Sequence, residues 1–385
     1  MNPFDEAVGA GGRLRRPGRG GRVLVAVALA AGVVLAGLGT YDYVESQFGG
    51  TTLVIYTYPS LLGGNCGGSA AFSSAFGTFA TAHGIRIDVE CPPGTAYSWL
   101  VDQAGAPAAD LVIGLDEITA PEAEAAHLLA PYSPPSLANV SSSLVAELSP
   151  HHGAVPYEYG YLAVDYNETF YAATSGGIAH LTFPELVHNK TWARNLLVED
   201  PESDITGQEF LVWQIEYYEH LLQQNWTTFW ANMTGGVPPL SDSWSDAYSE
   251  FSEGAYPMVV SYTTDPAYAA YYGEAGSFNS TVSWFNGTEY GWRTIYGMGI
   301  VNGSRHLALD EEFENWFLSG TVQAELPLNE WEYPANSTVP LPPVFAAAIP
   351  PGSIVALNND TTPGQVGASI AGWVQTWDDL TSGGG

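Results

Sequence analysis

Apolar and polar positions along the chain predict strands and helices in alternation from about residue 51 onward. Apolar, β-branched runs predict strands at 51–58, 85–91 and 109–116, and a run of small and apolar residues predicts a helix at 71–83. Strands that alternate with helices form mostly parallel sheets covered on both faces, which gives an α/β fold class. Ligands of such sheets bind beyond the carboxyl ends of the strands, so the residues after each strand are the first candidates for a site.

A second unit of strands and helices follows the first. Its predicted elements are a pair of strands within 154–167, a helix at 183–188, a strand at 196–201, helices at 209–223 and 243–252, and a strand ending near 262. Asp265, followed by Pro266, is predicted to cap and begin the next helix. A strand at 291–301, a helix at 310–319 and a closing helix at 362–380 are expected to return to the first unit. We therefore expect one lobe from residues 51–156 and 263–385, and a second lobe from 157–262.

The first 40 residues have the pattern of an export segment. Residues 1–22 contain five arginines, half of all lysines and arginines in the chain, and this basic segment is expected to stay in the cytoplasm. Residues 23–40 are mostly apolar, with a length between that of a signal peptide and that of a full span of about 20 residues. They form either a cleaved signal or a membrane anchor, and the lack of a clear cleavage site favours the anchor. Residues 41–50 are expected to be a stalk that leads to a folded part on the extracellular face.

The charge balance excludes one class of partner. Forty-one acidic residues against ten basic ones give a net charge of −31, so a nucleic acid would be repelled. A surface this acidic is typical of proteins that stay soluble in high salt, which indicates a halophilic source.

Two further features agree with export. Ten Asn-x-Ser/Thr sequons use most of the 16 asparagines, which indicates a glycoprotein. Cys66 and Cys91 are the only cysteines, and in an oxidising compartment they are expected to form one disulfide. A metal site at these cysteines would need more ligands than the nearby sequence offers, so we expect neither a metal nor a cofactor.

Six motifs between about residues 51 and 380 resemble one protein family. They are YTYPS, LVIGLDE, VPYEYGYLAVDYN, DSWSDAYSEF, VVSYTTDPAY and WEYP, and their order is that of the thiamine-binding proteins of ABC importers. The resemblance implies a type II periplasmic-binding-protein fold, with two α/β lobes, mixed and mostly parallel sheets, and a ligand cleft between the lobes. It also implies delivery of the solute to a membrane permease with a cytoplasmic ATPase, and no catalysis. We expect the protein to be a monomer.

The chemistry of thiamine agrees with the residues in these motifs. A flat aminopyrimidine and a cationic thiazolium need aromatic faces and carboxylates. By the resemblance, the rings of Tyr58, Trp244 and Tyr268 are expected to line the pocket. The full set of expected ligand contacts is Tyr58, Ser60, Gly94, Asp116, Asp204, Trp244, Tyr262, Thr263, Thr264, Tyr268, Trp331 and Tyr333.

Several of these residues have an equally good structural explanation. Asp116 has the features of an ordinary loop carboxylate, and Thr263 and Thr264 those of a capped turn before a helix. Trp331 and Tyr333 would serve equally well to anchor the C-terminal segment on the first lobe. The sequence alone leaves both interpretations open.

The chain departs from the family pattern at two places. No tryptophan follows the first strand within the stretch from Pro59 to Cys66, and Pro93-Gly94 stands where the family has an Asp-Gly pair. At both places we expect the pocket wall to differ from that of the family. Asp200 and Asp204, at another strand end, are candidates to restore a carboxylate to the cleft, although a solvated acidic loop explains them as well.

Two other functional classes have weaker support. A ferric-ion receptor of the same fold would use neighbouring tyrosines, for which Tyr271-Tyr272 and Tyr217-Tyr218 are the candidates. An exported glycoside hydrolase would use aromatic residues and two carboxylates, but nothing in the sequence selects such a pair. His151-His152 suggests a metal pair only superficially, since adjacent residues on a strand point to opposite faces.

Overall fold

A computed structural model describes residues 50–64, 66–233, 238–274 and 276–382. The expected basic segment, export segment and nearly all of the stalk lie outside these described residues. Among the helices that are described, none has both the length and the apolar character required to cross a membrane.

The first half of the chain alternates strands and helices as predicted. Its elements are β1 (Thr52–Tyr56), α1 (Ala70–His83), β2 (Arg86–Glu90), α2 (Ala96–Asp102), β3 (Leu111–Leu115), α3 (Thr119–Ala125), β4 (Leu129–Ala130), α4 (Ser142–Leu148), β5 (Val155–Tyr166), α5 (Glu168–Thr174), α6 (Phe183–His188), α7 (Lys190–Asn195) and β6 (Leu196–Glu199).

The second half begins with a helix that continues into a π-helical turn. Its elements are α8 (Ile205–Glu216), the π-helix Tyr217–Leu221, α9 (Thr227–Ala231), β7 (Leu240–Ser241), α10 (Trp244–Ser252), β8 (Met258–Tyr262), α11 (Asp265–Tyr271), β9 (Asn279–Thr281), β10 (Ser283–Phe285), β11 (Thr288–Gly291), β12 (Arg293–Val301), α12 (Leu307–Phe317), α13 (Gly320–Gln323), α14 (Leu326–Asn329), β13 (Tyr333–Pro334), β14 (Ile354–Ala356) and α15 (Pro363–Ser382). Short 3-10 turns cover Leu61–Gly63, Pro135–Asn139, Pro343–Ala347, Pro351–Ser353 and Leu357–Asn359.

Eleven of the described strands join into a mixed sheet with two parallel regions, and β10, β11 and β14 form a separate small sheet. Along its main path the strand order is β2-β1-β3-β12-β5-β8-β6-β7. At one end β1 pairs in parallel with β2 and β3, and at the other β6 pairs in parallel with β7 and β8. Between them β12 and β5 pair antiparallel with each other and with their outer neighbours. The α/β class and the two-lobe architecture predicted from the sequence are confirmed.

The hydrophobic core divides into two large clusters, one for each lobe. Leu53, Leu111 and Phe313 belong to the first cluster, and Leu162 and Trp213 to the second. The long strand β5 connects the lobes, because it contributes residues to both clusters. Burial of this much aromatic and aliphatic surface is the main source of stability of such a fold.

Three local predictions need correction. The expected pair of strands within 154–167 is one continuous strand, β5, because all but two of its residues are buried and no turn interrupts it. Asp265 is not the helix cap: it is the first residue of α11, and its carboxylate accepts hydrogen bonds from Ser261 and from the backbone N–H of Tyr262. The closing helix α15 contacts α3 of the first lobe, as expected, but its apolar side chains pack in the second cluster, with Trp377 at 5.9 Å from Trp230.

Cys66 and Cys91 form the predicted disulfide, with their Cα atoms 5.8 Å apart. The bond ties the loop after β1 to the residue that follows β2. Both segments lead directly to the ends of parallel strands, so the disulfide constrains the loops at one edge of the sheet.

Candidate functional site

A cavity of about 370 Å³ lies between the lobes, where the carboxyl ends of the parallel strands meet. Tyr58 follows β1, Asp116 follows β3, Asp204 follows β6, and Thr264 follows β8. Both lobes therefore contribute strand ends to one space, as expected for an α/β fold of this topology. The lining residues are Tyr58, Ser60, Gly94, Thr95, Ala96, Trp99, Gly114, Asp116, Glu158, Asp204, Ile205, Thr206, Ser243, Trp244, Ser245, Tyr262, Thr264, Asp265, Tyr296, Asn329, Glu330, Trp331 and Glu332.

Nine of the twelve residues expected from the sequence line this cavity. They are Tyr58, Ser60, Gly94, Asp116, Asp204, Trp244, Tyr262, Thr264 and Trp331. Their role in binding remains a prediction, but the fold brings them together from positions that are as much as 273 residues apart (331 − 58).

The other three expected residues are not part of the cavity wall. Thr263 is fully buried, and its backbone donates to Tyr161 and accepts from Ile349. Tyr333 is buried and donates its hydroxyl hydrogen to the backbone oxygen of Ile349 at 3.0 Å. Tyr268 is buried with its ring edge-on to Trp331 at 5.1 Å, so it supports the cavity wall from behind.

Trp244 is positioned by contacts on two sides. The ring stacks on Tyr248, with the ring centroids 5.3 Å apart, and its Nε1–H donates to Ser261 Oγ at 3.0 Å. Its backbone N–H donates to Asp204 Oδ2 at 3.2 Å. These contacts hold the indole in one orientation at the start of α10, so the part of the ring that lines the cavity is a rigid surface.

Asp204 also supplies the carboxylate that the sequence analysis expected of this loop. Its Oδ1 accepts from the N–H of Thr206 at 2.8 Å, which caps α8. Burial raises the pKa of Asp204, while hydrogen bonds from the backbone of Trp244 and Thr206 oppose that rise. Asp200 does not line the cavity, and its Oδ1 accepts from the N–H of Glu202 instead.

Asp116 has the structural role of a loop carboxylate, and its contact with a solute stays a prediction. Its Oδ1 accepts from the N–H groups of Ile118 and Thr119, at 2.9 and 2.7 Å, and so organises the start of α3. The residue also lines the cavity, and burial raises the pKa of its carboxyl group.

Tyr58 lines the cavity from the first lobe and belongs to a hydrogen-bonded group. Its hydroxyl donates to Glu330 Oε2 at 3.0 Å and lies 3.0 Å from the hydroxyl of Tyr157. The other oxygen of Glu330 accepts from the N–H of Leu62. The loop after β1 and the segment after α14 are thereby joined at the cavity.

The acidic floor of the cavity, which consists of Glu158, Glu330 and Glu332, was not predicted from the sequence. With Asp116, Asp204 and Asp265 they make six carboxyl groups, and the described lining residues include no lysine, arginine or histidine. A signal was present in the sequence, since Glu158 interrupts the buried strand β5 and the two other glutamates flank Trp331. Strand patterning alone could not show that these two segments meet.

Burial raises the pKa of every group in this floor, and neighbouring negative charges raise it further for Glu158 and Glu332. For Glu330 burial raises the pKa to about 8, against the opposing hydrogen bonds from Tyr58 and Leu62. For Glu158 burial is the larger cause, followed by the charges of Glu330 and Glu332. The pKa of Glu332 is raised by burial and then by the charge of Asp265. A cation in the cavity would offset the free-energy cost of ionising these buried groups, because it favours the ionised form of each carboxyl group.

The tyrosines considered for a ferric site lie elsewhere. Tyr271 and Tyr272 are exposed and pack against Trp331 on its outer side, and neither lines the cavity. Tyr217 and Tyr218 are buried in the core of the second lobe. The cavity does contain another tyrosine pair, Tyr262 and Tyr296, whose hydroxyl groups are 3.3 Å apart.

Comparison with known proteins agrees with this architecture. Residues 67–324 match the model of the family described as bacterial extracellular solute-binding proteins. The chain belongs to this family. Proteins of this family bind solutes and are not enzymes, and the type II binding fold of this chain is the one expected.

Several curated relatives of this solute-binding protein carry one name. It is 25% identical over 228 residues to the thiamine-binding periplasmic protein of Salmonella typhimurium, covering 59% of this chain and 64% of that protein. It is 27% identical over 276 residues to the thiamine-binding periplasmic protein of Brucella melitensis, covering 71% of this chain and 76% of that protein. The chain thus spans a little under two thirds of the Salmonella relative that it matches.

Solved structures share the fold with differing solutes. A periplasmic thiamin binding protein superposes with a TM-score of 0.68 at 22% identity, over 86% of this chain and 96% of that one. Iron-bound HitA from Pseudomonas aeruginosa superposes with a TM-score of 0.64 at 18% identity, over 86% and 99% of the two chains. At these identities the similarity establishes the fold alone.

Proposed function

We propose that this solute-binding protein captures thiamine, or a closely related cationic heteroaromatic compound, and delivers it to an ABC importer. The observation that carries the proposal is the composition of the cavity. Six carboxyl groups and the rings of Tyr58, Trp99, Trp244, Tyr262, Tyr296 and Trp331 line it, and no basic side chain is among its described lining residues. A flat cation can stack on the rings and neutralise the carboxylates at the same time.

The negative charge of the cavity favours a cation receptor over an anion receptor. A phosphate group is usually bound by arginine, lysine or clustered backbone N–H groups. The carboxylates would repel such a group, so the free vitamin is expected to bind more tightly than its phosphate esters.

Ferric ion is the second candidate, and it rests on a different pair of residues from the one expected. The hydroxyl groups of Tyr262 and Tyr296 lie 3.3 Å apart, and carboxylates line the same cavity. The aromatic walls favour the organic cation, because a bare metal ion gains nothing from the faces of Trp99, Trp244 and Trp331.

The partners and location follow from this role. A receptor of this class docks on a membrane permease whose ATPase is cytoplasmic, and we infer that residues 23–40 either anchor the chain or direct its secretion. We further propose that the protein acts as a monomer on the extracellular face, with residues 41–50 as the stalk.

Isothermal titration of the full-length protein in high salt tests the proposal. The ligands are thiamine, thiamine diphosphate, ferric citrate and a neutral analogue in which a thiophene ring replaces the thiazolium. We expect thiamine to bind at one site per chain and to raise the melting temperature, and the neutral analogue to bind at least about tenfold more weakly.

Each alternative has its own result in this experiment. Binding of ferric citrate alone would overturn the organic-cation proposal in favour of iron. Equal affinity for thiamine and its neutral analogue would contradict a role for the carboxylates. No response to any of the four, with folded protein confirmed by circular dichroism, would mean that the solute has a different chemistry.

A further inference from the structure

Glu216, His220 and Asp360 lie together on the second lobe, away from the ligand cavity. Glu216 is the last residue of α8, His220 lies in the π-helical turn that follows, and Asp360 lies in the turn before α15. One donor atom from each of the three side chains lies within 4.8 Å of the others. We propose that these residues bind a divalent transition-metal ion.

The spacing between the first two donors agrees with coordination. Glu216 Oε2 lies 3.1 Å from His220 Nε2. Ligands at about 2.0–2.2 Å from one ion are about 3.0–3.5 Å from each other in tetrahedral and octahedral sites. His220 lies in the π-helical turn, and such turns are frequent at functional sites.

Burial of the glutamate is an independent observation that indicates a ligand. The side chain of Glu216 is only 1% exposed, and in the described part of the chain its Oε2 accepts no hydrogen bond of good geometry. His220 Nε2 is the close polar neighbour of this oxygen, and Thr361 hydrogen-bonds to the same carboxyl group, so the buried charge is compensated only in part. A cation bound between Glu216 and His220 would compensate it further. The buried oxygen is also the one that faces the histidine.

The donor set selects the class of ion. Imidazole nitrogen with carboxylate oxygen suits zinc and other first-row divalent ions, whereas calcium and magnesium prefer oxygen ligands throughout. His220 and Asp360 are exposed, so the ion can enter from solvent and keep water in its remaining positions. Glu219 adds a further negative charge near Glu216.

The position of the site suggests what it does. Glu216 and His220 belong to the core helix region of the second lobe, and Asp360 begins the segment that leads into α15. An ion held by all three would fasten α15 to α8, beside the contact between Trp377 and Trp230. Its effect should therefore be on stability, and it does not depend on the identity of the solute.

Zinc binding to the full-length, tag-free protein tests the proposal. We expect equilibrium dialysis with metal analysis to give one bound zinc per chain, and zinc, but not magnesium, to raise the melting temperature. His220→Gln and Asp360→Asn should each weaken zinc binding by about tenfold or more. Both side chains are exposed, so these variants are expected to fold.

The matched control is His83→Gln. His83 Nδ1 also lies 3.1 Å from a glutamate, Glu312, but these two residues are not part of a group of three ligands. This variant should retain zinc binding. Absence of bound zinc at submillimolar free concentrations would overturn the proposal, and so would zinc binding that survives Asp360→Asn, because a simple ion pair between Glu216 and His220 has no need of Asp360.

Discussion

Gly114 lies directly beneath the ring of Tyr58 at the edge of the cavity. A Cβ atom at position 114 would lie 2.6 Å from Cδ1 of Tyr58, and the φ of Gly114 is +104°. Both the backbone conformation and the close approach require glycine here. The last strand residues of β3 thus determine where the ring of Tyr58 can lie.

We expect Gly114→Ala to weaken ligand binding by about tenfold, because it displaces the ring of Tyr58 from the cavity wall. The matched control is Gly105→Ala, since Gly105 also has a positive φ, of +89°, but no atom lies within 4 Å of an added Cβ. Titration calorimetry on both variants separates lost contact from backbone strain. Equal affinities of the two variants would show that the Tyr58 ring does not contribute.

Trp244→Ala should weaken binding of the cationic ligand by at least about tenfold, because it removes a desolvated stacking surface. Trp244→Phe keeps an aromatic face but loses part of the ring area and the N–H that donates to Ser261, so it should recover part of the affinity. Quenching of intrinsic fluorescence and calorimetry report both effects. An alanine variant with affinity within twofold of the parent protein would contradict the stacking role.

Affinity for a cationic ligand should rise with pH. Burial raises the pKa of Glu330 to about 8 and that of Glu158 and Glu332 in the same direction, so these groups hold protons that a cation must displace. Each proton released on binding changes Kd by about tenfold per pH unit below the pKa. Calorimetry between about pH 6 and pH 9, in buffers of different ionisation enthalpy, measures the number of protons.

Glu330→Gln is the variant that checks this linkage. It should reduce the pH dependence by one titrating group while leaving the tyrosine contacts largely in place. An affinity that does not change with pH would mean that the acidic floor is not in contact with the cation.

The stability of the ligand-free protein should show the opposite trend. The pKa of Glu330 is higher in the folded protein, at about 8, than its ordinary value of 4.5, so folding takes up a proton between these values and stability falls as pH rises through this window. Thermal melting from about pH 5 to pH 8, with and without ligand, measures this. We expect a smaller fall for Glu330→Gln, and a melting temperature that increases with pH would contradict the expected sign.

Removal of the disulfide should destabilise the protein without changing its fold. Closing a loop of 25 residues contributes about 3 kcal/mol to the free energy of unfolding. Denaturant melts of the parent protein and of the double variant Cys66→Ser, Cys91→Ser give this difference. Because Leu62, four residues before Cys66 in the loop after β1, donates to Glu330, we also expect weaker ligand binding in the double variant.

The alternation of apolar runs determined most of the first lobe. Strands β1, β2 and β3 and helix α1 lie close to the predicted ranges, because each is a local pattern bounded by turn residues. The same rule placed Tyr58, Asp116, Asp204 and Thr264 after strands, and therefore near a common edge. The motif resemblance added Trp244 and Trp331, which line the same cavity.

What only the tertiary structure decided is which distant segments meet. The side chains of Ile370 and Trp377 in helix α15 pack in the core of the second lobe, and no local pattern in the sequence specifies that contact. Glu158 and Glu330 share the cavity because β5 runs beneath the segment after α14. Burial raises both pKa values, and the charge of Glu330 raises that of Glu158 further; both causes depend on distance in space and not on position in the chain.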